Sequence, residues 1–109
     1  MRQRGEMSKP WAAVWKTGQI GLNAAVLHEL GLAKATHAVL FYDLDTKKIG
    51  IRFAESAKEE GAVKLVRRGG GASIFAKGFL RYFGIDHSKS RRFSLVFDQK
   101  QNLHILEPI

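Results

Sequence analysis

Apolar and polar positions alternate in short runs along this chain, and the runs come in the same order twice. Trp11-Ala12-Ala13-Val14-Trp15-Lys16 alternates with Trp11, Ala13 and Trp15 on one face, which predicts a strand. Lys16-Thr17-Gly18-Gln19 supplies turn residues, and Ile20-Gly21-Leu22 predicts the returning strand. Leu22, Val26 and Leu30 then fall four apart and share one helix face. Asn23 carries the side chain of an N-cap, and Gly31 sits where a left-handed residue ends many helices. A helix of about two turns is expected between them. His37 to Tyr42 is rich in strand formers, and Asp43 to Lys48 reads as a hairpin loop with Asp43 and Asp45 as turn residues. Ile49, Ile51 and Phe53 alternate toward a core.

After a polar joint, Ala54 to Gly61, the pattern returns. Ala62 to Arg68 predicts a strand, Gly69-Gly70-Gly71 its turn and Ser73-Ile74-Phe75 the return. A second helix ends at Gly84, and Arg92 to Phe97 and Leu103 to Leu106 form a second hairpin. Phe75 stands for Leu22, Phe79 for Val26, Leu80 for Leu27, Phe83 for Leu30, Gly84 for Gly31 and Ile85 for Leu32, all at an offset of 53. Trp11, Trp15, Phe75, Phe79 and Phe83 follow strand or helix periods and are read as core, although an exposed Trp11 or Trp15 could stack on single-stranded bases. A unit of about 45 residues buries its own apolar face poorly, so the two units are expected to close on each other. The expected fold is β-rich, mainly β with two short helices: a pseudo-twofold barrel or sandwich built from two strand-strand-helix-hairpin repeats. Residues 1–9 are expected to be a flexible basic arm, 10–56 the first repeat and 57–109 the second, together one compact domain.

Composition narrows the function classes. The 109 residues contain no cysteine, which excludes disulfides, thiolate metal sites and cysteine nucleophiles. No apolar run approaches the roughly 20 residues of a membrane helix, and no signal core follows the basic start, so a cytoplasmic protein without a membrane partner is expected. The net charge is +8, divided as +2 over residues 1–9, +1 over 10–56 and +5 over 57–109. Such an excess points to a polyanionic partner, held by attraction to phosphates and release of counterions. The bland alternative is a basic surface that only confers solubility.

Candidate chemistry follows the charge. Lys16 precedes the first turn glycine, and Arg67 and Arg68 precede the second turn at the equivalent place. Lys77 and Arg81 share a helix face, and Arg91 and Arg92 follow Lys89 in a loop. Lys16, Arg67, Arg68, Lys77, Arg81, Arg91 and Arg92 are the candidate DNA-binding residues. The glycine run Gly69 to Gly71 is followed by no Gly-Lys-[Ser/Thr], so it reads as a hairpin turn. His28, His37, His87 and His104 lack metal-ligand spacing. No nucleophile–base pair is visible. No enzyme activity, metal or cofactor is expected.

The arrangement resembles the AbrB-like swapped-hairpin family of AbrB/MazE/MraZ type, in two tandem copies. The matching residues are Trp15 to Leu22 and Leu30-Gly31-Leu32 in the first copy, and Val66 to Ile74 and Phe83-Gly84-Ile85 in the second. The chain departs from the family pattern where a Pro usually precedes the helix (Asn23, Ala76) and where an Arg usually follows the turn glycine (Gln19, Ala72). Where the family commonly carries an Arg on the helix, the nearest positions are His28 and Arg81. The resemblance implies a pseudo-twofold swapped-hairpin barrel, a non-enzymatic transcriptional regulator and duplex DNA as partner, with a homodimer possible. The alternatives are a protein-interaction or assembly module of the same fold and a single-stranded nucleic-acid-binding protein.

Overall fold

The computed structural model describes residues 9–109, so the basic arm lies outside the described residues except for Lys9. Eight strands and two helices follow one another as β1 (Trp11–Val14), β2 (Gln19–Leu22), α1 (Ala24–Glu29), β3 (His37–Asp43), β4 (Lys48–Ala54), β5 (Val63–Arg68), β6 (Gly71–Phe75), α2 (Lys77–Tyr82), β7 (Arg91–Asp98) and β8 (Leu103–Pro108). The strands close into one antiparallel barrel in the order β1-β2-β6-β5-β3-β4-β8-β7. Closure leaves no unpaired strand edge. Four of the eight neighbour pairs join a strand from before the polar joint to one from after it: β2 with β6, β3 with β5, β4 with β8 and β1 with β7. Neither half therefore closes a sheet by itself.

Local chemistry explains the elements. The Asn23 side-chain oxygen accepts from the Val26 N–H at 3.3 Å, as an N-cap should, and also from the Trp11 N–H at 3.1 Å. One side chain thus starts α1 and fastens the beginning of β1. Gly69 and Gly70 have φ of 52° and 87°, the pair a two-residue type I′ hairpin requires. Gly71 already belongs to β6, so the turn is two glycines long rather than three. The two distal hairpins share one construction. Asp43 Oδ1 accepts from the N–H groups of Asp45 and Thr46, and Asp98 Oδ1 from those of Lys100 and Gln101. Each turn then reaches a left-handed residue, Lys47 at φ 58° and Asn102 at φ 56°. Asp43 is thereby a turn residue, as its sequence context indicates. The backbone N–H groups of Thr46 and Asp45 hold the Asp43 carboxyl below the ordinary carboxylate range, and the Gln101 side-chain amide, with the backbone N–H groups of Gln101 and Lys100, does the same for Asp98.

The core fills the barrel and its two helical lids. Ile20, Ile51, Ile74, Leu80, Leu106 and Val26 are its largest fully buried side chains, and no polar residue is buried among the described residues. Ile49 and Ile51 face it, with Phe53 packed against it. On β1, however, the core-facing residues are Ala12 and Val14. Trp11 and Trp15 lie on the opposite, outer face, which corrects their reading as core. The interior of an eight-stranded barrel is only wide enough to be filled by side chains, and isoleucines from the neighbouring strands occupy this one.

Phe75 is the second correction. It is 61 % exposed, whereas Leu22 is 4 % exposed. Burial aligns Ile20 with Ala72 and Leu22 with Ile74, an offset of 52 in the strands, while the helices start 53 apart. Phe75 is the one extra residue before α2, and a one-residue shift turns a strand side chain to the other face.

His104 packs between the rings of Phe53, at 5.4 Å, and Phe97, at 4.9 Å, and burial lowers its pKa. The folded state thus binds this proton less well than the unfolded chain. Stability is complete above the ordinary histidine value of about 6.5 and falls as pH drops through it. Urea unfolding at pH 7.5 and 5.5 should show the loss, and His104→Gln should reduce it.

Candidate nucleic-acid interface

The β1–β2 turn and α2 are built against each other. The Gly18 carbonyl accepts from the Ala76 N–H at 2.9 Å, just ahead of the helix. Gly18 has φ 90°, and a Cβ there would collide with the side chain of Lys77. Lys77 thus stands directly over the turn that carries Lys16. Arg81, one turn farther along α2, lines an open depression together with Lys16, His87 and Ser88. The Lys16 N–H donates to Ser90 Oγ at 3.1 Å, which ties the turn to the segment leading into β7. Three of the seven candidate cations, Lys16, Lys77 and Arg81, are therefore assembled around one turn by backbone geometry. Asp86 is the one carboxylate lining that depression, and its oxygen accepts from the Ser88 N–H at 2.9 Å. That bond, helped by His87 and Arg91, holds its carboxyl below the usual range.

Arg68 occupies the place on the β5–β6 turn that Lys16 occupies on the β1–β2 turn. Because β2 and β6 run antiparallel, with Gln19 opposite Phe75 and Leu22 opposite Ala72, the two turns lie at opposite ends of this ladder. Four residues of strand separate them, about 13 Å along the strands. Gly70 adjoins the Ala24 side chain at the start of α1, so each turn meets the start of a helix.

Arg67 points elsewhere. Its side chain follows the inward alternation of β5 and turns at the barrel end onto the segment after α1, where one guanidinium nitrogen donates to the carbonyls of Leu32, Ala33 and Ala35. Those carbonyls belong to the loop that follows α1. Arg67→Ala should cost about 1–2 kcal/mol in a denaturant titration and leave any salt dependence of nucleic-acid binding unchanged.

Arg91 and Arg92 alternate to different places. Arg91 lines a recess of about 170 Å³ at the barrel mouth with Lys47, Lys48 and Lys89. Arg92 lies outside, its guanidinium 4.3 Å from the centre of the Trp11 ring. Among the described residues two ion pairs form, Lys48 with Glu107 and Arg52 with Glu59, and neither uses a candidate cation. Lys47 was not singled out in the sequence, where its only signal is charge, and the fold brings it beside Lys89 and Arg91.

Among the described residues no three histidine, aspartate or glutamate side chains converge as metal ligands, and no helix is long and apolar enough to cross a membrane. Compared with known proteins, the chain is matched by no protein-family model, no curated protein and no solved structure.

Proposed function

We propose that the chain is a non-enzymatic DNA-binding protein, a transcriptional regulator of AbrB-like swapped-hairpin build that holds duplex DNA through its phosphates. The observation that carries this reading is the cluster of Lys16, Lys77 and Arg81 around the β1–β2 turn, with Arg68 at the other end of the β2–β6 ladder. The separation of about 13 Å compares with a major groove about 12 Å wide, so the two ends can address the phosphates on either side of it. The barrel order supports the build: it maps onto itself when β1 to β4 are exchanged for β5 to β8. Phosphate contacts of this kind position a protein on DNA and carry little sequence information.

The test is anisotropy of a labelled duplex across a salt series. The logarithm of the binding constant should fall linearly with the logarithm of salt, with a slope of about −0.9 for each phosphate neutralised. A second reading, an assembly module, is favoured by Val96 and Phe97, which are 50 % and 48 % exposed on β7. Absence of duplex binding at low salt would move the proposal to that surface.

A further inference from the structure

The outer face of β1, β2 and β6 is aromatic where an outer barrel face is ordinarily polar. Trp11 and Trp15 flank Ala13, which is fully buried although it lies outside the core. Gly21 stands across from Ala13, and a Cβ on Gly21 would strike the Trp15 indole nitrogen. The two observations place the Trp15 indole against the sheet, over a glycine that lets it approach. The next strand continues the surface, with Ser73 across from Gly21 and the exposed Phe75 across from Gln19. On the other side, Arg92 is across from Ala13 and lies over the Trp11 ring. Trp11, Trp15, Gly21, Ser73 and Arg68 line one shallow groove of about 180 Å³. The sequences of β1, β2 and β6 contain no acidic residue.

Aromatic rings on a sheet, edged by guanidinium groups and with no carboxylate among the described residues lining the groove, suit a planar, electron-rich partner beside a phosphate. Bases inside a duplex cannot offer their faces, while unpaired bases can. We propose that this face is a stacking platform for a short unpaired segment of nucleic acid. Trp15 and Phe75 take base faces, and Arg68 and Arg92 hold the adjoining phosphates. The proposal rests on the nucleic-acid reading above and narrows it: the preferred substrate carries single-stranded bases next to the phosphates that the turns hold.

Trp11 and Trp15 are the chain's two tryptophans, so intrinsic fluorescence reports on this face alone. The full chain is titrated with a short oligothymidylate, with an abasic strand of the same length and with a duplex. Oligothymidylate should quench the emission strongly, while the abasic strand and the duplex should bind with little quenching. Phe75→Ala, on an exposed side chain that the fold does not need, should weaken oligothymidylate binding about tenfold and leave duplex binding unchanged. Trp15→Phe should keep most of the affinity, because a ring remains. Equal quenching by the abasic strand, or unchanged oligothymidylate affinity in Phe75→Ala, overturns the platform. If the duplex binds and oligothymidylate does not quench, the platform alone falls. If no nucleic acid binds, the nucleic-acid reading falls and the platform with it.

Discussion

Replacing Lys16, Arg68, Lys77 and Arg81 together by alanine should lower duplex affinity by roughly three to four decades at 0.1 M salt and flatten the salt slope by about 3 to 4 units. The magnitude follows from counterion release. Each neutralised phosphate contributes about 0.9 to the slope, so lines for wild type and variant that meet near 1 M salt stand about 0.9 decade apart per contact at 0.1 M. The fold should survive, because all four side chains are exposed and none belongs to an ion pair among the described residues. An unchanged circular dichroism melt would confirm this. Arg67→Ala is the control, since its guanidinium is already bonded to the carbonyls after α1. A slope that falls as far with Arg67→Ala as with Arg68→Ala would sink the assignment.

Leu80→Ala should be among the most damaging core substitutions, costing about 2–5 kcal/mol and lowering the melting temperature by roughly 10–25 °C. Leu80 is fully buried and seals one end of the barrel from α2. A helix of six residues has little stability of its own, so its position depends on that burial. Losing it would loosen the mount of Lys77 and Arg81 as well. Tyr82, two residues on, is 82 % exposed, and Tyr82→Ala should change stability by less than about 0.5 kcal/mol. Thermal melts of the two variants side by side check both statements. Comparable losses would mean that α2 is held by its outer aromatic contacts, among them the Tyr82 and Phe83 rings at 4.9 Å.

The elements were legible in the sequence because their signals are local. Asn23 caps α1, Gly31 and Gly84 take φ of 67° and 64° after the two helices, and Asp43 and Asp98 build the hairpin turns. Each depends on a side chain acting within a few residues of itself. Of the candidate site, the basic residues around the turns were legible, because turns are exposed and charge there is conspicuous. Which arginine of the Arg67–Arg68 pair is bonded to the loop after α1 was not, since alternation says that they differ and not which is which.

The sequence by itself determined two runs of strand, turn, strand, short helix and hairpin, and a strongly basic charge balance. Tertiary structure alone decided which face of each strand looks inward. On β1 both faces are apolar, Ala12 and Val14 on one side and Trp11 and Trp15 on the other, so the period of two leaves the choice open. The crowded barrel interior took the small residues and sent the indoles outside. Strand neighbours such as β2 with β6 are set by closure between residues fifty or more positions apart, and no local pattern encodes that pairing. The candidate site follows from both: sequence puts the cations on turns and a short helix, and closure brings those turns to the two ends of the β2–β6 ladder.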